Sequence, residues 1–240
     1  MADAFWSAGY VVIDDFVDLA VCADLLDRVN DYRAGHDLPK VVRRARGRDL
    51  RYQVIDGARI ADALPSIDDL LNATDRTVAE LSCRRLFRLE GQAGVNVNIT
   101  PPGGSYRWHY DRCPVTVLLY LNAVSGGEME LYPNHRWRCG PFEGTTVQRY
   151  SDTVAASRCV RRLARVRHVA VQPAPGRLLI MRGDRCLHAV SEVLDGPDRI
   201  NLVVSYILPG AQPSLPDLDS YLYCDTTFEK PDPNYRQLFR

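Results

Sequence analysis

From residue 85 onward the chain is a succession of short β-rich runs broken at close intervals by Gly, Pro and Asn, and this texture limits the fold more than any other feature. The runs fall at 85–89, 93–99, 106–110, 115–121, 128–132, 168–172, 177–181, 186–190 and 200–208, separated by P-P-G-G, S-G-G, P-A-P-G and D-G-P-D. Each is short enough for a strand and rich in Val, Ile, Leu and Tyr. Many short strands closed by turns bury their apolar faces in a sandwich or barrel. No internal repeat or low-complexity segment stands out.

The first third reads differently. Residues 9–14 predict an opening strand, and Leu19, Val21, Leu25, Leu26 and Val29 recur at helical spacing over 18–31, with Asp18 as N-cap. A second amphipathic helix is expected over 66–82, after Pro65 and capped by Ser66. Residues 40–62 are arginine-rich and irregular, with one strand near 52–55. The two helices would buttress one outer face of the β structure. Residues 133–167 interrupt the strand rhythm with a stretch able to form a basic helix. They are either a lid carrying substrate-binding arginines, Arg138 or Arg149, or an insertion with a solvated face. The proline-rich stretch from Pro209 reads as an extended arm.

Composition removes several classes of function. Formal net charge is zero and the pI about 6.9, so no global field draws the chain to nucleic acid or an anionic membrane. No apolar stretch approaches the roughly 20 residues that span a bilayer, and no signal peptide is visible at the N-terminus. The seven cysteines are odd in number and scattered, without a C-x-x-C pair, which fits free thiols in a reducing cytoplasm.

The chemistry centres on R-W-H-Y-D-R. His109 and Asp111 are two apart in a strand-like run, and strand alternation would aim both the same way. A lone H-x-D pair is not specific. His188, in R-G-D-R-C-L-H-A-V, supplies a third ligand in a similar setting, and two His with one carboxylate leave a metal with open positions. Arg199 and Asn201 follow on one face of the last strand. An arginine fork inside a barrel requires an anion, and a dicarboxylate would suit it. His36, His135 and His168 have no carboxylate at two-residue spacing and read as structural or surface residues.

The pieces N-I-T-P-P-G-G-S-Y-R-W-H-Y-D, V-T-V-L-L-Y-L-N, S-G-G-E-M-E-L-Y-P, A-P-G-R-L-L-I-M-R-G-D-R-C-L-H-A-V-S-E-V and R-I-N-L-V-V-S-Y occur in that order. Together they resemble the Fe(II)/2-oxoglutarate-dependent dioxygenases, in particular the prolyl-4-hydroxylase-like branch. The resemblance covers about residues 93–208, apart from 133–167. It implies a mainly β (α+β) fold with a double-stranded β-helix, or jelly-roll, core. One domain would span 1–240: mixed support over 1–92, the core over 93–208 with the 133–167 insertion or lid, and an arm over 209–240.

It further implies Fe(II) held by His109, Asp111 and His188, with 2-oxoglutarate and O2 as co-substrates. Arg199 resembles the arginine that takes the distal carboxylate of 2-oxoglutarate, with Tyr120, Asn201 and Asn98 as further contacts. Thr100 departs from the family, where many relatives have a tyrosine. Asp111 distinguishes the chain from related halogenases, which have Gly or Ala at that place. Asn96, Tyr106 and Trp108, with Arg138 and Arg149, are candidate substrate contacts. The expected reaction is hydroxylation of an unactivated C–H of a small molecule, an amino acid or natural-product intermediate, in the cytoplasm. A peptidyl or prolyl hydroxylase is the runner-up, and a non-catalytic metal-binding jelly roll is the reading from a different class.

Overall fold

The computed structural model describes residues 2–45, 48–142 and 145–211. Their elements run α1 (Ala2–Ala8), β1 (Tyr10–Ile13), α2 (Leu19–Gly35), β2 (Lys40–Ala45), β3 (Arg48–Ile55), α3 (Ile60–Ala63), α4 (Asp68–Ser82), β4 (Phe87–Arg88), β5 (Val95–Thr100) and β6 (Tyr106–His109). There follow β7 (Val115–Tyr120), β8 (Met129–Tyr132), α5 (Thr146–Ala155), α6 (Arg158–Leu163), β9 (Val169–Val171), β10 (Leu178–Met181), β11 (Leu187–Val190) and β12 (Arg199–Ile207). The expected C-terminal arm lies outside the described residues, apart from its first turn.

Two antiparallel sheets face each other. The larger runs β1-β10-β7-β12-β5-β3-β2, with β4 also on β12, and the smaller runs β6-β11-β8-β9. This is the jelly-roll core, and apart from β2 and β3 its adjacent strands are far apart in sequence. Strand alternation sorts the side chains of the large sheet into two sets. Val97 and Ile99 of β5, Val117 and Leu119 of β7, Ile180 of β10, and Ile200, Leu202 and Val204 of β12 pack outward against Phe5, Leu25, Val29, Leu64, Leu71 and Val78. Leu118, Tyr120, Leu179 and Met181 point inward and meet Met129, Leu131, Val171 and Val190 from the small sheet. Both faces of the large sheet are therefore dry, which is why β7 is buried at every position. Truncating an inner residue such as Leu179, fully buried, would cost about 2–5 kcal/mol.

Local structure departs from the sequence reading in four places. Residues 40–55 form the β2–β3 hairpin rather than an irregular stretch. Its β3 pairs with β5, and long-range pairing makes strands of residues whose local pattern is weak. Helix α4 starts at Asp68 with Ile67, not Ser66, at the N-cap, and Asp68 and Asp69 place negative charge in the first turn. Helix α2 extends to Gly35 beyond the expected end, and the Tyr32 ring stacks on His36 at 4.0 Å. Asp18 does occupy its N-cap, but the side chain accepts no capping hydrogen bond. The insertion forms two short helices, α5 and α6, parted at Ser157, whose hydroxyl accepts from Val160 N–H.

The insertion does not roof the barrel. It lies on the outer face of the small sheet, where Ala156 and Ala164 pack by Tyr110, Tyr132, Leu187 and Trp108. Within it Arg136 donates two hydrogen bonds to Asp152, 2.9 and 2.7 Å long, and its Nη1 donates to the Asp184 carbonyl outside it at 3.2 Å. Among the described residues no helix is long and apolar enough to cross a membrane.

Candidate active site

Between the sheets lies a cavity of about 160 Å³. Its wall shows how the inward set of the large sheet turns polar. Strand β5 sends Asn96, Asn98 and Thr100 into it, and β12 sends Arg199, Asn201, Val203 and Ser205. In register, Asn98 sits opposite Asn201, which sits opposite Tyr120 on β7. One row across three strands thus carries three of the residues singled out from sequence.

On the small sheet, β6 contains a bulge. His109 pairs with His188 but Tyr106 pairs with Val190, so three steps on β6 match two on β11. Simple alternation therefore fails here. Tyr106 and His109 both reach the cavity, their rings 4.6 Å apart, while Trp108 turns to the outside. There it meets Tyr132 at 5.3 Å, and the Arg161 guanidinium lies 4.5 Å over its ring. Trp108 is thus not placed to touch a ligand in the cavity. Arg138 and Arg149 are exposed on the insertion and do not line it either. Asp111 also departs from the strand argument, because β6 ends at His109. Asp111 is aimed instead by its N–H, which donates to the Gly183 carbonyl at 2.9 Å.

His109, Asp111 and His188 each offer a ligand atom within 4.8 Å of the other two. Asp111 Oδ1 is 3.4 Å from His109 Nε2 and 3.3 Å from His188 Nε2. Each ring sets its Nδ1 2.9 Å from a backbone carbonyl two residues earlier, that of Arg107 or Cys186. A carbonyl only accepts, so Nδ1 carries the proton and the neutral ring turns the Nε2 lone pair inward. The second carboxylate oxygen, Oδ2, accepts from Thr116 Oγ1 at 2.6 Å. Two lone pairs and one carboxylate oxygen aimed at a common point form a donor set that fits a divalent cation, with positions left over.

Electrostatics agree with that arrangement. Burial lowers the pKa of His109, reinforced by His188 and only partly offset by Asp111. Burial also acts to raise Asp111, but the two histidines outweigh it and hold the carboxyl well below its usual range. For His188 burial is outweighed by Asp111, so its pKa rises.

Among the described residues Arg199 is the largest fully buried side chain. Its Nε donates to the Gly127 carbonyl at 2.8 Å, its Nη1 donates to Asn201 Oδ1, and its guanidinium lies 5.1 Å from the centre of the Tyr120 ring. Three buried polar atoms here have no partner: Arg199 Nη2, Asn201 Nδ2 and the Tyr120 hydroxyl. Burial lowers the Arg199 pKa and raises that of Tyr120. Unsatisfied buried donors around a cation are costly, and an anion would satisfy them together. The dicarboxylate expected from sequence fits this cradle. Gly127 is needed for it: a Cβ there would come 2.8 Å from Arg199 Cδ, and its φ is +65°.

Residues 95–206 match the family model described as the 2OG-Fe(II) oxygenase superfamily. Over that stretch the chain is similar to the 2OG-Fe(II) oxygenase superfamily. That similarity implies an oxygenase that uses Fe(II), 2-oxoglutarate and O2, and His109, Asp111 and His188 could hold the metal. Among solved structures, the chain is similar to the prolyl hydroxylase of Trichoplax adhaerens in complex with a hypoxia inducible factor peptide. The identity is 19% over 86% of each chain, with a TM-score of 0.61. It is also similar to the non-heme alpha ketoglutarate dependent epimerase SnoN from nogalamycin biosynthesis, 16% identical over 89% of this chain and 91% of that one, TM-score 0.64. A Pseudomonas putida prolyl-4-hydroxylase matches at 18% identity over 87% and 97%, TM-score 0.52. At these identities the likeness is one of fold. No curated protein matches the sequence.

Sequence reasoning missed Thr116, Gly183 and the cavity-lining Arg107, Arg112 and Cys113. Thr116 had a signal: it is a polar residue at an inward position of an otherwise apolar strand, V-T-V-L-L-Y. Gly183 had none, since its role depends on Asp111 and Thr116 approaching from elsewhere. His135, His168 and His36 stand outside the cavity wall. His135 Nε2 lies 3.1 Å from the Ala155 carbonyl and His168 pairs with Glu130 at 3.4 Å.

Proposed function

We propose that the protein hydroxylates an unactivated C–H bond of a small molecule, with His109, Asp111 and His188 as ligands of Fe(II) and Arg199 as the anchor of 2-oxoglutarate. The carrying observation is that one cavity contains both a two-His, one-carboxylate donor set and a buried arginine with unsatisfied donors around it. Iron and 2-oxoglutarate bound there supply, with O2, an oxidant able to break an unactivated C–H bond.

The protein's own contributions follow from the geometry. The Arg107 and Cys186 carbonyls hold the two imidazoles in the tautomer that ligates through Nε2, and Thr116 fixes the rotation of the Asp111 carboxylate. Arg199 and the Asn201 amide, with the Tyr120 hydroxyl, hold the far carboxylate of the co-substrate. Asn98 and Thr100 line the wall between. Leu118, Met129, Met181, Val190 and Val203 form the apolar remainder, which excludes water from the oxidising centre. Tyr106 and Asn96 face the same space and are the substrate contacts this reading retains.

A small-molecule substrate is supported by the likeness to the nogalamycin epimerase. A peptidyl prolyl substrate is the second reading, supported by the likeness to the two prolyl hydroxylases. A non-catalytic metal-binding module would need the triad alone, and it leaves the Arg199 cradle without a purpose. Anaerobic loading with Fe(II) and 2-oxoglutarate tests the proposal. The complex should absorb weakly in the green, and His109→Ala should abolish the band. A metallated protein that binds 2-oxoglutarate without this band, or not at all, refutes it.

A further inference from the structure

The turn at residues 182–186 reaches two of the three members of the donor set. Its Gly183 carbonyl accepts the Asp111 N–H at 2.9 Å, and its Cys186 carbonyl lies 2.9 Å from His188 Nδ1. The turn is tight, because the Arg185 and Cys186 N–H groups both donate to the Arg182 carbonyl, at 3.0 and 2.8 Å. It also stands hard against the carboxylate it aims. A Cβ on Gly183 would lie 2.8 Å from Asp111 Cβ and Oδ2, and closer still to the Thr116 hydroxyl. Close-packed atoms transmit a displacement rather than absorb it, so a shift of this turn is a shift of Asp111 and His188.

What holds the turn lies outside it. Three buried atoms of its own side chains, Asp184 Oδ1, Arg185 Nε and Arg185 Nη1, have no hydrogen-bond partner among the described residues and so do not brace it. At one end Arg182 is tied to the end of α1: its N–H donates to the Gly9 carbonyl at 2.9 Å, and its Nη1 donates to the Trp6 carbonyl at 2.8 Å and to Asn134 Oδ1 at 2.9 Å. At the other, the Arg136 N–H donates to the Arg185 carbonyl at 3.0 Å and its Nη1 to the Asp184 carbonyl at 3.2 Å. The remaining edge of the same guanidinium is committed to Asp152 on α5, which also accepts from the buried Gln148 amide at 2.8 Å. A planar fork bound on both edges keeps little freedom. Hydrogen bonds therefore run without a break from α5 through Arg136 and the turn to Asp111 and His188.

We propose that Arg136 is a positioning residue of the metal site, and that the insertion is the brace of that site rather than its lid. This rests on reading His109, Asp111 and His188 as metal ligands. It gives residues 133–167 a task although they do not line the cavity: they fix the turn from which one ligand is aimed and a second is held in its tautomer.

The test compares Arg136→Gln with Ser157→Ala in the full chain. Ser157 caps α6 in the same insertion and makes no contact with the turn. Loss of a partner behind the ligands costs about 10–100-fold in metal affinity, and Arg136→Gln should weaken Co(II) binding by about tenfold and alter its visible bands. In the metal-free protein the Asp111 amide should exchange its hydrogen about tenfold faster, as its acceptor loses its support. Ser157→Ala should lower the melting temperature while leaving Co(II) affinity and Asp111 exchange within about twofold of the parent. Asp152→Asn, which leaves the arginine stem packed, should move both readouts in the direction of Arg136→Gln, by less, and it decides the matter if Arg136→Gln does not fold. Parent-like Co(II) affinity and Asp111 exchange in the variant that decides overturn the proposal, as do equal losses in Ser157→Ala, which would mark a general loosening of the insertion. If the parent loaded with Fe(II) and 2-oxoglutarate never develops the green band, the oxygenase reading has failed, and the exchange of the Asp111 amide still tests Arg136 without any metal.

Discussion

Replacing Thr116 by Val is the sharpest test of how the site is held. The change preserves shape and β-branching and removes one hydroxyl, which is 5% exposed as part of its residue and donates to Asp111 Oδ2 at 2.6 Å. A hydrogen bond to a charged acceptor contributes about 1.5–3 kcal/mol, and the added methyl returns about 0.8 kcal/mol by apolar burial. The net loss is about 1–2 kcal/mol. In a chain of this length each kcal/mol moves the melting temperature by about 2–4 °C, so the metal-free protein should melt about 2–8 °C lower. Asp111 keeps its N–H bond to Gly183, so the carboxylate stays in place and loses only its rotational restraint. Loss of such a support outside the ligands themselves typically costs about 10–100-fold in metal affinity. A Co(II) titration, read by its visible bands, measures this directly. A lowered melting point with Co(II) affinity within about twofold of the parent would refute the orienting role and leave Thr116 a packing residue.

Three further outcomes follow from the same geometry. Mn(II) at about 100 times its dissociation constant should stabilise the protein by about 2.7 kcal/mol, reversed by chelator and absent in His188→Ala, as differential melting shows. Gly127→Ala should lose about 1 kcal/mol or more from its left-handed backbone and should weaken 2-oxoglutarate binding by displacing the Arg199 stem, measured through the green band. Burial, with the Asp111 charge beside it, pushes the Cys113 thiol up to about 12. At pH 8 its alkylation by iodoacetamide should therefore run about a thousandfold slower than that of a free thiol, rising tenfold per pH unit up to that value. A Cys113 that labels like a free thiol would refute this.

The sequence alone determined most of the architecture and the identity of the triad. Short runs punctuated by glycine and proline demand a two-layer β core, because such strands can bury their apolar faces in little else. The outward-inward sorting of V-N-V-N-I-T and R-I-N-L-V-V-S is visible as alternation, and it places Asn98, Asn201 and Arg199 on the cavity side. Local periodicity cannot register a partner strand. The β2–β3 hairpin was for that reason illegible, since β3 is ordered by pairing with β5, some forty residues away.

Only the tertiary structure decided how the site is assembled. The bulge in β6 breaks alternation between Tyr106 and His109, sending Trp108 out to Tyr132 and leaving Asp111 to be aimed by the Gly183 carbonyl rather than by a strand. The insertion carries most of its arginines to the far side of the small sheet, so a stretch that suggested a substrate lid from its charge does not line the cavity. Net charge, a sum over the whole chain, is blind to what one cavity wall contains. Zero overall charge coexists with a cavity wall of three arginines and one aspartate, because burial decides which charges share a low dielectric, and burial is a property of the fold.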